Sequence, residues 1–195
     1  MVQFAPVRPT WENLTLIGTP AEDFLSGGYG NDRIRGLADG DHLHGYTGDD
    51  FIFGGDGPDE IKGGAGNDHL EGGNGKDRLW GGQGDDYVHG GAGDDKIAFH
   101  LGDTIIGGTG GDAFRINPDK DGYTEATLRM DGGDNGLFVQ DFDAYHLGPI
   151  TQHGDRLFFD IELDGAQDGT LHVVLADADF TGSAAAYVES FIFEV

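Results

Sequence analysis

The sequence predicts an all-β chain: a parallel roll of very short strands, wound as a right-handed solenoid and closed on its C-terminal side by an antiparallel β region. Three observations carry this. A nine-residue period runs from Gly18 to Arg115. Within it, Asp recurs at the sixth position and an apolar residue at the eighth. Past Arg115 the period stops, and apolar residues alternate with polar ones in the two-residue rhythm of a half-buried strand. The chain thus divides into a leader, residues 1–17, a repeat region, 18–115, and a C-terminal β region, 116–195.

A search for internal periods decides the architecture. From Gly18 the chain reads GTPAEDFLS, GGYGNDRIR, GLADGDHLH, GYTGDDFIF, GGDGPDEIK, GGAGNDHLE, GGNGKDRLW, GGQGDDYVH and GGAGDDKIA. A shortened FHLGDTII and a last GGTGGDAFR follow. The sixth positions are Asp23, Asp32, Asp41, Asp50, Asp59, Asp68, Asp77, Asp86 and Asp95, continued after the deletion by Asp103 and Asp112. The eighth positions are Leu25, Ile34, Leu43, Ile52, Ile61, Leu70, Leu79, Val88, Ile97, Ile105 and Phe114.

Each position has a physical reading. Glycine at positions 1, 2 and 4 permits positive φ and close backbone approach, so carbonyl oxygens can converge in a tight turn. The first-position glycines Gly27, Gly36, Gly45, Gly54, Gly63, Gly72, Gly81 and Gly90 are therefore candidate carbonyl donors beside the carboxylates. Positions 7 to 9 read as a three-residue strand whose middle side chain points inward. Its neighbours, among them Arg33, Arg35, Lys62, Glu71, His89 and Lys96, face water.

Two nonapeptides make one turn, so residues 18 apart stack. One edge then carries Asp23, Asp41, Asp59, Asp77 and Asp95, and the other Asp32, Asp50, Asp68 and Asp86. Carboxylates stacked at strand spacing, about 5 Å, repel unless a hard cation lies between them. An all-oxygen donor set suits Ca²⁺ and serves zinc or copper poorly. Adjacent pairs on the two edges frame about seven ions, and up to nine over the whole ladder. Residues 18–98 carry 17 acidic and 6 basic side chains, so seven Ca²⁺ turn a net −11 into about +3. The apolar ladder is thin, and backbone ordering costs about 1–2 kcal/mol per residue. Folding is therefore expected to be coupled to the metal.

Composition excludes several other classes. A net charge of −25 with only 11 Lys and Arg speaks against nucleic acid and against anionic membrane surfaces. The absence of cysteine leaves no disulfide framework and no thiolate metal site. Met1 to Leu16 lacks the apolar run of a cleavable export signal, and no stretch approaches a membrane span.

The repeats resemble the RTX (repeats-in-toxin) nonapeptide G-G-x-G-x-D-x-U-x, a calcium-binding β-roll unit. The resemblance covers residues 18–115. Val139-Gln140-Asp141-Phe142 and Asp155-Arg156-Leu157-Phe158-Phe159 are similar to the segment after the last repeat in serralysin-type RTX proteins. This implies an uncleaved C-terminal signal, export of the unfolded chain by a type I secretion apparatus, and calcium-driven folding outside the cell. The role expected of such a secreted chain is in the matrix, in adhesion or in a surface layer, with self-association or a surface polysaccharide as the partner of the folded surface. The alternative is that the chain serves as the secretion and folding module of a larger RTX enzyme.

Beyond the repeats, Leu157, Phe159, Ile161 and Leu163 predict a strand, as do 171–175, 136–142 and 191–195, with a short helix at 184–190. Asn117 to Leu128 has half of an EF-hand loop, but Leu128 stands where a bidentate Glu belongs. No H-E-x-x-H and no G-x-S-x-G occurs. His42, His44, His69 and His89 fall on outward positions, and only 17 residues precede the roll. No catalysis is expected.

Overall fold

The computed structural model describes residues 11–116, 125–131, 136–139, 144–147, 151–153, 156–164, 169–176 and 192–194. Within the repeats the strands are β1 (Thr15–Ile17), β2 (Phe24–Gly28), β3 (Arg33–Ala38), β4 (His42–Thr47), β5 (Phe51–Asp56) and β6 (Glu60–Ala65). They continue with β7 (His69–Asn74), β8 (Arg78–Gln83), β9 (Tyr87–Ala92), β10 (Lys96–Phe99), β11 (Thr104–Thr109) and β12 (Ala113–Ile116). Beyond them lie β13 (Glu125–Asp131), β14 (Gly136–Val139), β15 (Ala144–Leu147), β16 (Thr151–His153), β17 (Arg156–Asp164), β18 (Gly169–Ala176) and β19 (Ile192–Glu194). Among the described residues there is no helix, hence none long and apolar enough to cross a membrane.

Strands of one parity share a sheet. The odd strands run β1-β3-β5-β7-β9-β11-β13, then β18-β17-β15 with β16 on β17. The even strands run from β2 through β14 to β19. Pairing in the regular repeats is parallel at a constant offset of 18, as in Ile34 on Ile52 and Leu43 on Ile61. Two repeats per turn follow from that offset. A strand of one sheet feeds, through a tight turn, into a strand of the other, and the eighth-position side chains fill the space between. All eleven of them, Leu25 through Phe114, are at most 2% exposed.

The strands are longer than the three residues expected. Most span six, from position 7 to position 3 of the next repeat, so the turn proper is only positions 4 to 6. The ladder skips one residue in each strand: Phe53 pairs with Glu71 and Gly55 with Gly73, while Gly54 and Gly72 between them do not pair. The skipped residue is the first-position glycine. The second-position residue beside it takes positive φ, which glycine adopts without strain. Leu37 (φ 96°) and Tyr46 (φ 81°) hold the same conformation with a side chain, and Asp39 (φ 70°) does so at position 4.

The shortened repeat does not break the register. Tyr87 pairs with Thr104 and Lys96 with Ala113, offsets of 17 instead of 18. Phe99 and Leu101, fully buried, fill the interior where the glycines are missing. Parallel pairing also runs past Arg115, with β13 on β11 and β14 on β12. Among the described strands, antiparallel pairing is confined to β15, β16, β17 and β18, apart from an isolated bridge between Thr19 and Ala21 before β2. The expected strands at 136–142, 157–163, 171–175 and 191–195 correspond to β14, β17, β18 and β19. The helix expected at 184–190 and the half EF-hand turn from Asn117 to Asp121 lie outside the described residues.

Candidate metal centre

The eleven sixth-position Asp residues line the two edges between the sheets, each at most 2% exposed. Their carboxylates divide the work between two oxygens. Oδ1 accepts the backbone N–H of the Asp one rung earlier: Asp41 from Asp23 at 2.8 Å, Asp50 from Asp32 at 2.7 Å, and Asp59 from Asp41 at 2.7 Å. The series continues through Asp68, Asp77, Asp86 and Asp95 at 2.8–2.9 Å. It crosses the deletion to Asp103 and Asp112 at 3.0 Å. One oxygen is thus a clamp between rungs.

The other oxygen has no partner over most of the ladder. Oδ2 of Asp32, Asp41, Asp50, Asp59, Asp68, Asp77, Asp86 and Asp95 is buried and accepts no hydrogen bond. Burying an anionic oxygen without a partner is expensive, so eight repetitions of it point to a cation. At the ends the oxygen is engaged: Thr19 N–H donates to Oδ2 of Asp23, and His100 N–H donates to Oδ2 of Asp103 at 2.7 Å.

The first-position glycines form the walls of the same spaces. A Cβ placed on Gly27, Gly36, Gly45, Gly54, Gly63, Gly72, Gly81 or Gly90 would collide with Oδ2 of Asp32, Asp41, Asp50, Asp59, Asp68, Asp77, Asp86 or Asp95 respectively. For Gly27, Gly36, Gly45, Gly54, Gly63, Gly72 and Gly90 it would also strike the carbonyl of the glycine one rung on, from Gly45 to Gly107. The nearest atoms to Gly81 all belong to Asp86, because the deletion puts Phe99 where a glycine would stand. Seven cradles therefore combine a free carboxylate oxygen with a neighbouring-rung carbonyl. Among the described residues no three His, Cys, Asp or Glu side chains converge as a metal cluster. The donor set is one carboxylate supplemented by backbone carbonyls, hard oxygens throughout.

Electrostatics agree. Burial pushes the carboxyls of Asp41, Asp50, Asp77, Asp86 and Asp95 up to about 6, and Asp32 upward as well. Asp59 rises to about 7 and Asp68 to about 8, where burial is joined by the charges of the carboxylates one rung to either side. The clamping N–H bonds pull in the opposite direction without cancelling the effect. A divalent ion beside Oδ2 would reverse the balance and favour the ionised form.

Other features were not foreseen in the sequence. At position 5 of one edge, Asn31, Asp49, Asn67 and Asp85 donate their N–H groups to Oδ1 of the residue 18 before: Asn13, Asn31, Asp49 and Asn67, at 2.8–3.0 Å. This side-chain ladder braces the turn from outside. The other edge has Gly40, Pro58 and Lys76 at that position and makes the contact only at its far end, where Gly111 N–H donates to Oδ1 of Asp94 at 3.2 Å. A count of residue types by position could have found the run of Asn and Asp.

Of the expected outward histidines, His42, His44 and His69 stand in ring stacks on the surface. His69 stacks between Phe51 and Tyr87 and meets Glu71 at 2.9 Å. His42 stacks on Phe24, and His44 on Tyr46. Burial and the ammonium of Lys62 hold His44 below its ordinary range.

A family model, the RTX calcium-binding nonapeptide repeat (4 copies), matches residues 15–43, 26–61, 44–79, 62–97 and 71–106. No curated protein matches the chain.

Proposed function

We propose that the roll is a calcium-dependent folding unit, a reading supported by the match of residues 15–106 to the RTX calcium-binding nonapeptide repeat. The observation that carries this is the row of buried Oδ2 atoms without partners, from Asp32 to Asp95. Each complete cradle takes one Ca²⁺. The holding groups are Oδ2 of Asp32, Asp41, Asp50, Asp59, Asp68, Asp77 and Asp95 with carbonyls of the first-position glycines. Asp86, next to the deletion, holds an ion less well. Asp23 and Asp103 close the ladder with hydrogen bonds, and Asp112 ends its edge.

The chain acts without catalysis, as a secreted calcium-binding protein that folds once it meets extracellular calcium. Low cytosolic calcium keeps it unfolded for passage through a type I apparatus. The absence of cysteine and the serralysin-like segments around Val139 and Asp155 support this route. Within this reading residues 18–115 are the calcium-binding domain and 116–195 its C-terminal cap and export segment. Equilibrium dialysis tests the site assignment: the chain is expected to hold about seven Ca²⁺, and a count of two or fewer contradicts it. Mg²⁺ is expected to compete poorly, because it demands a tighter octahedral shell.

A further inference from the structure

The sequence holds two Asn-Gly dipeptides, and one of them, Asn74-Gly75, lies in a turn of the roll. Asparagine before glycine is chemically labile. The backbone nitrogen of the next residue attacks the side-chain amide, and glycine has no Cβ to obstruct the approach. The other asparagines among the described residues are placed differently. Asn13, Asn31 and Asn67 precede Leu14, Asp32 and Asp68, whose N–H groups are clamped by Asp32, Asp50 and Asp86 at 2.7–2.8 Å.

The roll dictates the glycine. Gly75 stands at position 4 with φ 152°, and a Cβ on it would strike the carbonyl of Gly57. Position 3 is freer, carrying Asp56, Ala65, Gln83 and Ala92 in nearby repeats. The fold also restrains both reacting groups. Asn74 is exposed, and its Nδ2 donates to Oδ1 of Asp56, one rung earlier, at 2.8 Å. The N–H of Gly75 donates to the carbonyl of Ala92, one rung later, at 2.7 Å. Ring closure needs that nitrogen turned toward Cγ of Asn74, so the rung must first open.

We propose that Asn74 is a deamidation site that the folded roll protects and the unfolded chain exposes, so that it records time spent without calcium. The nitrogen of Gly75 bonds to Cγ of Asn74 and the Cγ–Nδ2 bond breaks. Ammonia leaves with the proton released by the Gly75 nitrogen, and a five-membered succinimide remains. Water then opens this ring. Cleavage between the nitrogen and Cγ gives an aspartate at position 74, and cleavage at the main-chain carbonyl carbon gives an isoaspartyl link. Overall, amide and water become acid and ammonia, with no oxidant or reductant. Either product harms the roll. An aspartate sets a carboxylate against Asp56, where a donor stood, and like charges opposite one another destabilise a sheet. The isoaspartyl link adds one main-chain carbon just before the turn from which Asp77 clamps Asp59. Calcium control rests on the folding reading above, whereas protection by the roll does not.

The test ages the full chain at mildly alkaline pH in millimolar calcium, in EDTA and in urea, with circular dichroism on each sample. Fragment-ion mass spectrometry of residues 63–76 follows the amide-to-acid mass gain at Asn74, with Asn67 in the same peptide as reference. An isoaspartyl methyltransferase reports the rearranged link. Asn74 is expected to convert at least about tenfold faster in urea than in the calcium-folded chain, where reaction awaits local opening. In EDTA the rate is expected to match that in urea. An EDTA sample that keeps its β spectrum and the slow rate removes calcium control and leaves protection by the roll standing. Calcium added after ageing in EDTA is expected to restore less β signal to the unaltered chain than to Asn74→Ala, a change that Ala65 and Ala92 show position 3 accepts. Equal Asn74 rates in the calcium-folded and urea samples overturn the proposal. So does conversion in urea no faster than at Asn67, or equal recovery of the aged unaltered chain and aged Asn74→Ala.

Discussion

A single methyl group probes the cradle at the residue scale. Gly54 has no positive φ, so alanine there strains no backbone, yet its Cβ would strike Oδ2 of Asp59 and the carbonyl of Gly72. Gly54→Ala is expected to lose about one bound ion and weaken calcium affinity at that rung about tenfold, read by equilibrium dialysis. An unchanged ion count contradicts the assignment of that space to metal. Acidity probes the same oxygens. The carboxyls from Asp41 to Asp95 rise to between about 6 and about 8 in the metal-free fold, above their ordinary 3.8. A raised carboxyl favours the fold below its unfolded value and loses that contribution as pH climbs through the folded one. In EDTA, residual β structure is therefore expected to be greatest at about pH 4 and to fall as pH climbs from there to about 8; a rise over that window contradicts the burial argument. The identities of the ladder Asp and glycine residues were legible in the sequence, because a period exposes them. The division of labour between Oδ1 and Oδ2 was not, nor was the closure of Asp23 by Thr19 and of Asp103 by His100. Those depend on which backbone N–H the turn brings to each carboxylate, and a list of residue types does not contain that.

At the scale of the element, the offset of 18 and the inward eighth position follow from the period and appear in every rung of the regular repeats. Strand length does not follow. Alternation alone ends a strand at the first glycine, whereas the ladder skips that glycine and resumes at the second. Substitution at the second position is therefore a strand property. Leu37, 42% exposed, adopts φ 96° and gains little burial in return. Its strain is about 1–2 kcal/mol, of which the flexibility of glycine returns about 0.5–1 kcal/mol. Leu37→Gly is expected to raise the thermal midpoint slightly in saturating calcium, and a fall contradicts this account of the turn. The deletion at 99–106 is instructive for the same reason. It removes glycines that would line a cradle, but Phe99 and Leu101 fill the interior and the clamps to Asp103 and Asp112 persist. The register survives because hydrophobic filling and the carboxylate clamp act independently of the cradle.

At the scale of the molecule, residues 18–115 carry a net −12 of the chain's −25, and eleven of their acidic groups stack, buried, on two edges. One apolar residue in nine supplies the interior of the regular repeats. Such a core offsets little of an ordering cost of about 1–2 kcal/mol per residue, and on the proposed reading the remaining stabilisation comes from ions that bind only the folded roll. The all-β class and the parallel roll were legible from composition and period together. The continuation of parallel pairing through β13 and β14 was not, because those rungs are longer and carry no repeat. Far-ultraviolet circular dichroism during calcium titration, after EDTA treatment at neutral pH, tests the central claim most directly. The account predicts a disordered spectrum without metal and a cooperative rise of β signal at about 0.1–1 mM Ca²⁺. A β spectrum that is already complete in EDTA and unchanged by calcium would contradict it.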